Sequence, residues 1–221
     1  MPRESLVTKH ARLAKIIAGL KQAYPNAHCE LDYSSPFELL IATILSAQAN
    51  DKQVNIVTAD LFKKYWTAAD FANASPAELE NDLKRIGLYR NKAKNIQAAS
   101  RKLVERHGGK VPDSMDALIE LDGVGRKTAN VVLGNAFNIN CGVVVDTHVA
   151  RLSFRLGLTS EHAPEKIEQT LMKLVAQSEW TLFSHLLIWH GRRRCYARKP
   201  DCPNCEIKPL CPRLGVPKPA R

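Results

Sequence analysis

Apolar side chains recur along this chain three and four residues apart, the spacing of one face of an α-helix, and almost nowhere at the interval of two that marks a half-buried strand. Leu39, Leu40, Thr43, Ile44 and Ala47 form one such stripe, and Leu79, Leu83 and Ile86 another. Helix starts carry their own signals: Ser35-Pro36-Phe37-Glu38 and Ser75-Pro76-Ala77-Glu78 each place a Ser cap before a Pro at the first helical position, with a Glu three residues after the cap. Gly87, Gly108 and Gly157 stand where helices should stop. The pattern predicts helices near 5–23, 36–48, 51–65, 76–86, 90–107, 114–121, 126–137, 146–156, 164–177 and 180–191. The run Cys141-Gly142-Val143-Val144-Val145 reads as extended, but a single short segment has no partner strand, so the predicted fold class is all-α.

At 221 residues, 45% of them hydrophobic, the chain can bury one generous core or two modest ones. No apolar stretch approaches the roughly 20 residues that cross a bilayer, and Met1-Pro2-Arg3-Glu4 lacks the apolar block of a secretory signal. A soluble protein of the cytoplasm with no membrane partner is the expectation. The net charge of +10 is unevenly spread: residues 84–110 hold nine Lys or Arg against Glu105 alone, and residues 185–221 hold nine against Asp201 and Glu206. Two such concentrations suit a protein that grips a phosphate backbone, although solvated helix faces would give the same counts.

Six cysteines in a reducing compartment argue against a disulfide framework. Cys195, Cys202, Cys205 and Cys211 are separated by six, two and five residues, in a proline-rich stretch with little periodicity that a bound metal would order. Four thiolates suit a tetrahedral zinc or a [4Fe–4S] cluster, and one Cys-x-x-Cys flanked by single cysteines leaves both open. The loop Tyr196-Ala197-Arg198-Lys199-Pro200-Asp201 is basic and well placed to touch a phosphate backbone. Cys29 and Cys141 lie far from this cluster and read as buried thiols or as incidental.

Residues 114–137 read as helix, tight turn, helix, with Asp122-Gly123-Val124-Gly125 as the turn. Two glycines flanking one apolar residue permit a sharp bend and close approach of the backbone to another molecule. The N–H groups opening the second helix would point outward as a site for a phosphate, holding nucleic acid without reading its sequence. Lys127 falls in the first turn of that helix. A surface phosphate contact is one reading of it and a nucleophile the other. An amine attacks carbon only when unprotonated, and the positive end of the helix dipole, the neighbouring Arg126 and partial burial would all favour that form. Asp146, in Val145-Asp146-Thr147-His148, is a plain helix cap on its own terms, or a carboxylate that stabilises developing positive charge if the fold brings it close to Lys127.

Taken together, Leu121-Asp-Gly-Val-Gly-Arg-Lys-Thr-Ala-Asn-Val-Val132, Val145-Asp-Thr-His148 and the Cys-x6-Cys-x2-Cys-x5-Cys array closely resemble endonuclease III, a family of bifunctional DNA glycosylases and abasic-site lyases. The resemblance runs from about residue 10 to Cys211 and includes Leu45-Ser46-Ala47-Gln48 and Ile86-Gly87-Leu88-Tyr89. It implies two helical domains. Residues 29–140 would form a six-helix barrel with a helix-hairpin-helix at about 114–137, and residues 1–28 with 141–221 a discontinuous domain carrying a [4Fe–4S] cluster on Cys195, Cys202, Cys205 and Cys211. Double-stranded DNA with damaged bases or abasic sites would be the partner of a bacterial, nucleoid-associated monomer.

By the same resemblance Lys127 would attack C1′ and Asp146 assist it, removing a damaged pyrimidine, oxidised by expectation, and cutting the strand by β-elimination. Gln48 and Leu88 would fill the gap in the duplex; Gly123, Val124, Gly125, Arg126, His148 and Lys199 would hold DNA; Ser46 and Asp51 would border the lesion pocket. The family usually has Pro where Asp122 stands, so an acidic residue here is expected to loosen the hairpin or weaken backbone binding. Two rival functions are a monofunctional adenine-mismatch glycosylase, disfavoured by an amine at position 127, and a non-catalytic DNA-binding module.

Overall fold

The structure, a computed structural model, describes residues 4–216. All regular structure among the described residues is helical: α1 (Leu6–Ala23), α2 (Pro36–Ser46), α3 (Asp51–Lys64), α4 (Ala68–Asn73), α5 (Pro76–Leu83), α6 (Tyr89–His107), α7 (Met115–Ile119), α8 (Arg126–Ala136), α9 (Thr147–Arg155), α10 (Pro164–Leu174) and α11 (Trp180–Arg193). Short 3-10 turns follow at Gln177–Glu179 and Lys208–Leu210. Side-chain caps open most of the helices. Ser5, Ser35, Asn50, Thr67, Ser114 and Asp146 each accept a hydrogen bond from a first-turn N–H that has no intrahelical partner.

Several boundaries differ from those the periodicity predicts. Ser75 makes no side-chain cap bond, so α5 starts on the pre-set φ of Pro76 instead. Gly108 and Gly157 end their helices in the left-handed conformation, at φ 58° and 66°. Gly87 does not, and its neighbour Leu88 takes φ 59°. α2 stops at Ser46 rather than 48, because Gln48 takes φ 54° and turns the chain. α4 escapes the apolar pattern because six residues span too few turns to show one. It is held at its start by a reciprocal capping box in which Thr67 Oγ1 accepts from Asp70 N and Asp70 accepts from Thr67 N.

The chain divides into two compact units, one of Glu30–Cys141, the other joining the chain up to Cys29 with that from Gly142 onward. In the first, α2 is the central element. Phe37 and every residue from Leu39 to Leu45 are buried, the all-round apolarity of a helix surrounded by others. α3, α6 and α8 pack on it. Phe71 of α4 is fully buried, with its ring centroid 5.5 Å from Phe37 and 5.0 Å from Tyr65.

In the second unit, Leu13, Ile16 and Leu20 of α1 join Val149 and Leu152 of α9, Ile167 and Leu171 of α10, and Phe183, Leu186 and Leu187 of α11 in one core. The extended segment before α9 finds no strand partner. Val143, Val144 and Val145 are buried instead, and Val144 N donates to Ser184 Oγ of α11 at 3.0 Å. Arg12 of α1 donates to the carbonyls of Leu156 (2.8 Å) and Leu210 (3.1 Å) and pairs with Glu4, tying the end of α9 and the C-terminal loop to α1.

Removing the cap of α4 should show in stability alone: Thr67→Ala is expected to lower the unfolding free energy by about 1 kcal/mol in urea titrations.

Candidate active site and cysteine pocket

The hairpin turn is defined by one bond and one dihedral. Val124 N donates to Leu121 O at 3.1 Å, and Gly123 takes φ 76° while Asp122 stays at negative φ, the signature of a type II turn. Space demands Gly123 as well, since a Cβ there would lie 3.0 Å from Asn95 Cβ of α6. Leu121 and Val124 are buried and anchor the turn from beneath. The side chain of Val124 is therefore unavailable to a ligand, and only its backbone can serve as predicted. Gly125 is the cap residue of α8, extended at φ −97° and ψ 176°, with no side chain to cover the first-turn N–H groups.

Arg126 and Lys127 follow, both exposed. The partial burial expected of Lys127 is not supplied by this unit. Arg126 Nη2 donates to Cys141 O at 3.4 Å. Asp122, expected to loosen the turn or weaken binding, has its carboxylate 2.9 Å from Lys102 Nζ of α6. The basic stretch 84–110 is thus less of a uniform surface than its charge suggests: Lys92 is buried, Lys102 faces Asp122, and Arg106 pairs with Glu120.

Gln48 and Leu88 are exposed, on the α2–α3 and α5–α6 connections, and both hold the left-handed conformation that costs a non-glycine residue about 1–2 kcal/mol. A core leucine and an ordinary helix-end glutamine are both excluded. Near them in sequence, Ser46 Oγ donates to Thr43 O at 2.9 Å and Asp51 opens α3 behind the Asn50 cap.

In the other unit, Asp146 caps α9, one carboxylate oxygen accepting from His148 N and Val149 N at 2.8 Å each. The side chain is thereby fixed in direction. His148 is half-buried against α11. Burial lowers its pKa first of all, and Arg151 and Arg192 lower it further against the opposing charge of Asp146. Its Nδ1 lies 3.1 Å from Arg151 Nη2. This contact requires Gly191, where a Cβ would come within 2.7 Å of His148 Nδ1. A glycine inside an otherwise apolar helix was the available signal for that approach.

All four C-terminal cysteines line one pocket, shared with Arg155, His190 and Arg194. Sequence reasoning missed the groups that shape it. Arg155 is buried and donates to Cys195 Sγ (3.3 Å), Tyr196 O (2.7 Å) and Ala197 O (2.9 Å). Arg151, one turn earlier on α9, reaches Cys195 O. Burial pushes the His190 imidazole down to about 4, so the ring is neutral near pH 7. It accepts at one nitrogen and donates at the other, between Tyr24 Oη (3.0 Å) and Cys205 Sγ (3.5 Å). Burial also pushes the Cys205 thiol up to about 11. Such a thiol ionises at neutral pH when a metal binds it. Lys199 lies exposed on the loop between the first two cysteines, itself left-handed at φ 51°.

Residues 41–177 match the HhH-GPD superfamily base excision DNA repair protein family. The chain is 52% identical to endonuclease III of Synechocystis sp. over 94% of each chain, and 48% identical to that of Bacillus subtilis over 85% of this chain and 86% of the relative. The chain belongs to the endonuclease III family. It is accordingly a base-excision DNA repair enzyme, a DNA glycosylase and abasic-site lyase whose partner is DNA. Its fold superimposes on a solved trapped endonuclease III–DNA covalent intermediate with a TM-score of 0.88, at 44% identity, over 92% of this chain and 96% of the other. The cysteine-rich C-terminal region is compatible with the iron–sulfur cluster expected of a family member.

Leu88→Gly separates conformation from function: relief of the left-handed leucine should raise the unfolding free energy by about 1 kcal/mol in denaturant titrations while base excision slows.

Proposed function

We propose that Lys127 is the nucleophile of both the glycosylase and the lyase steps, acting on damaged pyrimidines in double-stranded DNA as a monomer. The observation that carries this reading is the position of Lys127: exposed, in the first turn of a helix whose start is uncapped by side chains, behind a type II turn that brings backbone N–H groups to the surface. A phosphate seated on those groups would leave the lysine one residue from the bound backbone.

The Nζ lone pair forms a bond to C1′ as the bond from C1′ to the base breaks, and the base leaves with that electron pair and takes up a proton. Opening of the sugar yields a protonated imine between Lys127 and C1′. This cation acidifies the C2′ proton; its removal and departure of the 3′ phosphate as leaving group cleave the strand. Asp146, held in direction by two backbone N–H groups, is suited to stabilise positive charge on the sugar or to move a proton. Gln48 and Leu88, exposed and conformationally strained, are suited to occupy the space a flipped nucleotide leaves. Gly123, Gly125, Arg126, His148 and Lys199 would hold the backbone, with Ser46 and Asp51 bordering the pocket.

The four cysteine sulfurs are distributed around a pocket rather than gathered on a point. Among the described residues, the side-chain donors that do converge within 4.8 Å are His190, Cys205 and Glu206. A single zinc needs four ligands at about 2.3 Å, so the wider arrangement favours a polynuclear cluster. We assign Cys195, Cys202, Cys205 and Cys211 as ligands of a [4Fe–4S] cluster. When bound it would supply structural cross-linking of the C-terminal loop, with Arg155 as a donor to the Cys195 sulfur.

Incubation with a duplex containing an abasic site, followed by borohydride, should trap a covalent protein–DNA adduct that Lys127→Ala abolishes. A wild-type protein that binds this duplex and never cross-links would exclude the lysine mechanism. Asp146→Asn keeps an acceptor for the α9 cap, so stability should hold within about 0.5 kcal/mol while the rate falls about 100-fold or more. The purified protein should be brown, with about four irons per chain. Colourless protein with stoichiometric zinc would overturn the cluster assignment.

A further inference from the structure

Lys102 lies in the middle of α6, on the stretch whose charge pointed to a phosphate backbone, yet its ammonium is turned toward the hairpin of its own unit. Nζ donates to Glu120 O at 2.8 Å and stands 2.9 Å from Asp122 Oδ2. Glu120 is the cap residue at the end of α7, where carbonyls lack helical partners, and Asp122 is the second residue of the type II turn. One cation therefore holds both sides of Leu121, at the point where the chain leaves α7 and bends toward α8. Asp122 Oδ2 is shut off from solvent and meets the ammonium off the hydrogen-bond line, so charge rather than hydrogen-bond geometry makes this contact. Arg106, one turn further along α6, adds a second link from the same face through the Glu120 carboxylate at 3.2 Å.

We propose that Lys102 is a positioning residue for DNA binding: through Glu120 O and Asp122 it fixes the turn that aims the first N–H groups of α8, and does not itself hold a phosphate. This rests on the reading of the hairpin as the DNA-backbone site. Without the ammonium, a carboxylate oxygen shielded from water loses its counter-charge and a helix-end carbonyl loses its donor, and both losses fall on the residues that precede Gly123. A ring at position 122 would provide the same restraint covalently. Asp122 already has negative φ at the turn position where proline is favoured, and its side chain, not a turn hydrogen bond from its N–H, makes the contact described.

The experiment compares wild type, Lys102→Met, Asp122→Pro and the double variant in two measurements: hydrogen exchange of the Val124 amide, which reports the bond to Leu121 O, and affinity for a duplex bearing a tetrahydrofuran abasic analogue. Lys102→Met should speed Val124 exchange and weaken binding, each roughly five- to tenfold. Adding Asp122→Pro to it should bring both back to within about twofold of wild type. Weaker binding with unchanged exchange and no rescue by proline would make Lys102 a phosphate contact and overturn the proposal. Faster exchange with unchanged binding would make it merely structural and overturn it as well. If wild type fails to bind the duplex, the reading of the hairpin is what fails. The exchange data alone then decide whether Lys102 restrains the turn, and unchanged exchange in Lys102→Met rejects that restraint.

Discussion

The start of α8 can receive a phosphate only if its own chain leaves it uncovered, and much of the unit Glu30–Cys141 follows from that constraint. Among the described residues, the protein caps six of its other ten α-helices with Ser, Asn, Thr or Asp side chains. At α8 it places Gly125, which has none. The helix then loses only a few tenths (~0.3) of a kcal/mol of capping stabilisation, because glycine is tolerated at that position. Its start is secured instead from beneath, by buried Leu121 and Val124, and from the side, by the contacts of α6 to Glu120 and Asp122. Gly123 closes against Asn95 on the same helix. The start of α8, the phosphate site we propose, is thus held from one side and open on the other.

The other unit meets a different demand, that of ordering a loop with almost no core of its own. Beyond α11 among the described residues, Ile207 is the buried hydrophobic side chain. Arginines do what apolar burial does elsewhere. Arg155 holds the loop carbonyls after Cys195, Arg151 holds Cys195 O, and Arg12 holds Leu210 O. Hydrogen bonds from charged donors are worth about 1.5–3 kcal/mol each, enough to fix a backbone that carries four cysteines around one pocket. Arg194, paired with Asp201 and Glu206, braces the rim of the same pocket.

Helix positions, the hairpin and the cysteine array were legible in the sequence because each has a local signature in spacing, caps or glycines. Longer-range features were not. The left-handed conformations at Gln48 and Leu88 defied expectation because Gly87 stands beside one of them and would have adopted it without strain. The inward-facing roles of Arg155, Arg12 and Lys102 depend on carbonyls and carboxylates brought by other elements; in the sequence they were only part of a net positive charge. The contact of Asp122 was hidden for the same reason: its neighbour in space, Lys102, is twenty residues away along the chain.

The packing of α1 has a consequence during synthesis. Leu13, Ile16 and Leu20 are buried against Phe183, Leu186 and Leu187, which a ribosome adds more than 150 residues later. At about 5–20 residues per second, the apolar face of α1 waits on the order of ten seconds for its partner helix, while Glu30–Cys141 emerges complete in between. The intervening unit can fold in that interval, but α1 is an exposed amphipathic segment throughout it. Its apolar face therefore stays without its native partner until α11 arrives.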